Sequence, residues 1–236
     1  MFEFIRSLFK TAKIVGKTVQ TLRESKAYEQ ELGALPMEEF LPKWAEATTF
    51  PAAGMYSSLR PAATLAEIEQ AESRLGLRLP EELKSLYLCT NGIDRKIRDA
   101  DEPARNMLSI QSLTKPGAQK PALSSVLRDE WLADGRDNGD PEGLCVFSTG
   151  LTSVLPGAPE EFVLPFGDVD AMLSLESDGL GPLGVAVVNA HPQFPIGTIL
   201  QIENGTATHF NGVRTWLAGT TGMVVRFKEQ YGRYSK

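Results

Sequence analysis

Apolar residues recur at helical spacings in the first half of the chain and at strand spacings in the second. Phe2, Ile5, Phe9, Ala12, Gly16 and Val19 alternate between steps of three and four, which predicts one amphipathic helix from Phe2 to about Leu32. Met37, Phe40, Leu41 and Trp44 share a face in the same way, so residues 36–47 read as a second helix. Pro51, Gly54 and Pro61 then break the periodicity.

The clearest local signals follow. Thr64-Leu65-Ala66-Glu67 has the form of a capping box, in which the Thr hydroxyl accepts from the Glu67 N–H and the Glu67 carboxylate reaches back. Leu65, Ile68, Ala71 and Leu75 give this helix its apolar face, and Gly76 supplies a left-handed end. A further helix starts at Leu79-Pro80, with Glu81 and Glu82 in the first turn, where the helix dipole favours negative charge. Leu83, Leu86 and Tyr87 form its buried side, and Asn91-Gly92 ends it.

Beyond this point the pattern changes. Met107–Leu113 reads as a strand, and residues 119–133 as a helix around Leu123, Val126, Leu127 and Trp131. Short β-like runs then cover Leu144–Ser148, Ala171–Glu176, Leu183–Asn189, Thr198–Glu203 and Thr206–Phe210. Asn204-Gly205 joins the last two with the strongest two-residue hairpin signal in the chain. A closing helix carries Val213, Trp216 and Leu217. Helices first, strands next and a helix last predict an α+β fold: a mixed, mostly antiparallel curved sheet with helices packed on one side. Residues 1–50 read as an N-terminal helical extension and 51–236 as the main domain.

Composition adds little to this, because 42% hydrophobic and 23% charged residues are ordinary for a folded chain. Charge distribution adds more. Residues 1–23 carry five basic side chains (Arg6, Lys10, Lys13, Lys17, Arg23) against Glu3, a net of +4, so the remainder holds −10 of the total of −6. Three placements fit the basic amphipathic segment: packing on its own domain or on a second copy, lying on an anionic membrane surface, or joining a partner-binding surface. From Asp137 to Val213 there is no Lys or Arg, while Asp137, Asp140, Glu142, Asp168, Asp170, Glu176 and Asp178 fall within the same stretch. Such a field repels phosphates and suits a basic protein partner, and it also serves plain solubility. These seven acids are the candidate partner-binding surface.

Candidate chemistry is sparse. Cys89 and Cys145 have no metal-type spacing, and their pairing is left open. Ser148-Thr149-Gly150 lacks the context of a nucleophile elbow, and Gly16-Lys17-Thr18 lacks the first glycine of a phosphate loop. His191 and His209 read as loop and strand-end histidines. Asp134, Asp137 and Asp140 miss the spacing of a calcium loop. No catalytic set, metal site or cofactor is expected. With no apolar run of about 20 residues and a charged N-terminus, the expectation is a cytoplasmic protein, with peripheral membrane contact as the alternative for residues 1–23.

The run from Ala66 to Tyr87, with Asn91-Gly92 behind it, resembles the opening signature of the SUKH superfamily. Ile68, Glu72, Leu75, Gly76, Leu79, Pro80, Asn91 and Gly92 carry the resemblance, while Ile93 stands where members often have a second glycine. The resemblance implies helices on one side of a curved sheet and a non-catalytic, protein-binding role. Bacterial members neutralise toxins, often nucleases, as immunity proteins; fungal relatives regulate cell-wall synthesis by binding signalling partners. An immunity protein with a cognate protein toxin is therefore the leading expectation. A regulatory adaptor recruited by the basic N-terminal helix is the alternative.

Overall fold

A computed structural model describes residues 24–97, 106–115, 118, 122, 124–125, 128, 143–148, 162–177, 183–203, 206–219 and 221. Residues 24–33 form α1, the described end of the first predicted helix; the basic segment 1–23 lies outside the described residues. After a short turn comes α2 (Met37–Thr48), then β1 (Met55–Leu59), α3 (Leu65–Leu75), α4 (Glu81–Cys89) and β2 (Ile93–Ile97). The sheet strands follow: β3 (Gly143–Ser148), β4 (Phe162–Pro165), β5 (Leu173–Ser174), β6 (Leu183–Ala186), β7 (Ile199–Glu203) and β8 (Thr206–Phe210). A one-turn helix, α5 (Phe166–Asp170), sits between β4 and β5, and α6 covers residues 213–219.

Six strands lie in the order β4-β3-β8-β7-β6-β5, and only β3 and β8 run parallel. Glu203 pairs with Thr206, so β7 and β8 are joined by two residues as the Asn-Gly signal predicts, although 204–205 themselves lie outside the described residues. The β1–β2 ribbon is a separate antiparallel pair. Met107 splices it to the main sheet, exchanging hydrogen bonds with Ile93 on one side and bridging Glu176 on the other.

The residues around Met107 depart from the sequence reading. Met107–Leu113 is a single bridge followed by a turn of 3-10 helix, Ile110–Ser112, rather than a strand. Met107, Ile110 and Leu113 are all fully buried. The 3-10 turn opens at Ile110 and its repeat of three directs Leu113 to the same side, whereas in a strand the two would point to opposite faces. Ser124, Ser125 and Arg128 are helical and Ala122 is not, while the other residues of the helix expected over 119–133 lie outside the described residues. Of the turn-rich acidic loop read from sequence over Asp134–Gly143, residues 134–142 lie outside them too and Gly143 opens β3.

Both faces of the sheet are apolar. Leu173, Leu175, Ala186, Val188 and Ile199 pack with Leu32, Phe40, Leu41, Trp44, Ile68, Leu83, Leu86, Trp216 and Leu217 of the helices. The alternate positions, Val185, Val187, Leu200, Ile202 and Ala207, face a second cluster with Leu164, Val169, Met172 and Phe194. Period-two alternation in β6 and β7 thus divides their residues between two cores. The close approach of α6 to the sheet needs Gly184: a Cβ there would stand 2.5 Å from the Trp216 ring. The Trp216 indole N–H donates to Gln201 Oε1 at 3.1 Å on the same face.

Candidate partner-binding surface

The residues that make the sequence signature distinctive act on the backbone. Thr64 and Glu67 form the capping box in full, and Gly76 closes α3 at φ 63°. Glu72, only 6% exposed, bends α3 onto α4: its Oε1 accepts from the Leu79 N–H at 2.7 Å and lies 3.2 Å from Lys84 Nζ, and its Oε2 accepts from Arg78 at 3.0 Å. Burial pushes the Glu72 pKa up, but these donors outweigh it and leave the carboxyl below its ordinary value. Asn91 Oδ1 accepts from the Ile110 N–H at 2.7 Å and so holds the 3-10 turn. Gly92 does not cap α4, as expected from sequence; it turns the chain into β2 at φ 104°, with Met107 O 2.7 Å from where a Cβ would stand. Ile93, in place of a second glycine, is fully buried and pairs with Leu59 and Met107.

Other charged side chains are likewise tied into the architecture. Glu82 accepts from the Val213 N–H at the start of α6 and from Arg214 Nε, while Arg214 Nη1 donates to Leu35 O. Arg60 clasps Asp94 across the β1–β2 ribbon, and this hydrogen bond holds the Asp94 carboxyl below its usual range. The open edge of β1 is closed locally: the Ser57 N–H donates to Thr49 Oγ1, and Phe50 and Met55 exchange backbone hydrogen bonds. A strand from another chain would find that edge partly occupied.

The seven acids predicted as a surface do not stay together. Glu176 is a correction: its side chain is 1% exposed, Oε1 accepts from Arg95 at 2.8 Å, and Oε2 accepts from the Gly184 N–H at 2.8 Å. It lies where the ribbon meets the main sheet, and only a buried carboxylate there satisfies both a cation and a backbone donor. Arg95 in turn stacks over the Trp44 ring at 5.6 Å. Asp168 and Asp170 are half-buried on α5, which turns them apart rather than onto one strand face. Asp170 accepts from the Ser124 N–H and hydroxyl, whereas Asp168 approaches His191 Nε2 at 3.5 Å and keeps 45% of its side chain exposed. Asp137, Asp140, Glu142 and Asp178 lie outside the described residues.

Both histidines of the chain gather around Phe194. His191 stacks on it at 5.1 Å between ring centroids, and the ring of His209 in β8 is tilted against it at 5.8 Å. Burial pulls the His209 pKa down. Phe194 belongs to the loop between β6 and β7, a segment the sequence reading did not single out, although Pro192 and Pro195 mark it as stiff. Cys89 is a half-buried free thiol whose pKa is pushed up by burial and by Glu38. Among the described residues no group of His, Cys, Asp and Glu is arranged to hold a metal ion, and no helix is long and apolar enough to cross a membrane.

Residues 62–155 match the SMI1 / KNR4 family (SUKH-1), in agreement with the resemblance carried by Glu72, Gly76, Asn91 and Gly92. The match takes in α3, α4, β2 and β3, while β4–β8 and α6 lie beyond it, and of these β5–β8 and α6 share its core. No curated protein matches the chain.

Proposed function

We propose, from the match of residues 62–155 to the SMI1 / KNR4 family (SUKH-1), that the chain is a non-catalytic binding protein of the bacterial immunity type, which grips a cognate toxin and blocks the toxin's access to its substrate. The family match over residues 62–155 is the observation that carries this reading. Two further features support it. The signature residues hold the fold, so the outer surface is free to be shaped for a partner. The stretch from Asp137 to Val213 offers no cation, which suits a toxin that handles nucleic acid, because such an enzyme needs a basic cleft for phosphates.

Co-expression with any toxin-like protein found encoded beside its gene tests this. Cell survival that depends on the intact complex is the expected result. Cell death despite abundant folded protein would overturn it.

The net of +4 on residues 1–23 favours a second reading, a regulatory adaptor recruited to an anionic surface. Removing residues 1–23 separates the two, since α1 beyond them contributes Leu32 to the core and must be kept. Protection retained by the truncated chain supports immunity; membrane association lost together with a signalling output supports the adaptor.

A further inference from the structure

We propose that the loop between β6 and β7, residues 187–198, is the surface that grips the partner, with Ile196 as its apolar anchor. The partner it fits is a basic protein with an apolar socket rimmed by Lys or Arg. This rests on the protein-binding reading above and names the site that performs it.

The loop is built as a rigid projection. Val187 N–H donates to Thr198 O at 2.9 Å, and Gly197 N–H donates back to Val187 O at 2.8 Å. Thr198 N–H closes a turn onto Pro195 O at 3.2 Å, and Gly197 adopts φ 95°, where a side chain would be strained. Gln193 N–H donates to His191 Nδ1 at 3.2 Å, and Asn189 Nδ2 donates to Ala171 O at 3.3 Å. Phe194 is buried in the second core between the two histidines and pins the centre of the loop. Pro192 and Pro195 remove two more backbone freedoms. Outside this frame Pro192, Gln193, Pro195 and Ile196 face solvent, and Ile196 is 56% exposed. A large apolar side chain held out on a loop that has already lost its conformational entropy is what a binding hot spot requires.

The surroundings select the partner's charge. Asp168, beside His191 at one end of the loop, keeps 45% of its side chain exposed. At the other end Gly197 lies against Pro80, next to the exposed Glu81 at the start of α4. Arg78 pairs with Glu72, and Lys84 with Glu72 and Glu81, so charge is balanced at this end and Asp168 supplies the negative charge that the partner meets. Leu65 is also exposed, at the first turn of α3, and serves as the control position.

The test measures binding of the purified full chain to a basic toxin-like protein found encoded beside its gene, with survival on co-expression as the parallel readout. Ile196→Asp should weaken binding about tenfold or more and abolish protection. Asp168→Asn should slow association about threefold at low salt and have little effect at high salt. Leu65→Asp should bind as the wild type does. Ile196 is solvent-exposed, so the variant should unfold at the wild-type temperature. Full-strength binding by Ile196→Asp, or loss confined to Leu65→Asp, overturns this assignment and leaves the immunity reading intact. Failure of the wild type both to bind and to protect removes the immunity reading and this site with it.

Discussion

Removing the Glu72 carboxylate should separate α3 from α4 in energy more than any exposed ion pair could. In Glu72→Ala the Leu79 N–H, on a residue that is itself buried, loses the acceptor 2.7 Å away. An orphaned buried donor costs about 1–3 kcal/mol. The ion pairs add less: Arg78 is 85% exposed and Lys84 is partly exposed, so together they contribute about 1 kcal/mol. The expected loss is therefore about 2–4 kcal/mol for Glu72→Ala. Glu72→Gln keeps an oxygen for Leu79 and should lose only about 1 kcal/mol. Urea unfolding followed by circular dichroism measures both, with an unchanged slope showing that stability alone has moved. A pH series adds a second check. The folded carboxyl has a pKa below its unfolded value of 4.5, so as pH falls the unfolded chain takes up the proton first. Its contribution is full above about pH 4.5 and disappears as pH drops through the lower folded value. Glu72→Gln should flatten that part of the acid limb. A loss under 0.5 kcal/mol in Glu72→Ala, or equal losses in both variants, would refute the assignment of the stability to the Leu79 hydrogen bond.

Three other outcomes follow from the same geometry. Gly92→Ala forces a side chain into φ 104° and against Met107 O, and should cost about 2 kcal/mol or more in chemical denaturation. Gly184→Ala drives a methyl into the Trp216 ring, which should cost about 1–3 kcal/mol and change the tryptophan emission spectrum of the folded protein. His209 has its pKa lowered by burial, so the unfolded chain protonates first as pH falls below its ordinary 6.5. Stability should fall from there down to the lower folded value, and His209→Gln should remove that slope from a series of melting temperatures.

Much of the helical half was legible because its signals are settled within a few residues. The Thr64 capping box, the left-handed Gly76 and the acidic first turn of α4 each depend on neighbours no more than four positions away, and all appear as read. The β7–β8 register was equally local, since a two-residue connection leaves one pairing. Met107–Leu113 was misread because a short apolar run has no unique period, and burial under α3 and the sheet selected the 3-10 turn.

The acidic surface was legible as charge but not as geometry. Glu176 and Arg95 are 81 residues apart, and nothing near either one marks them as a pair. The Phe194 loop with its two flanking histidines, and the join made by Met107 between ribbon and sheet, also depend on contacts between distant segments. By itself the sequence determined the helix caps, the hairpin, the α+β class and the family signature, because backbone sterics and short-range hydrogen bonds act within one turn; the β1–β2 ribbon among the helices was not legible. Tertiary structure alone decided which carboxylates are buried and which apolar side chain is held out to solvent, because desolvation depends on what the rest of the chain brings alongside.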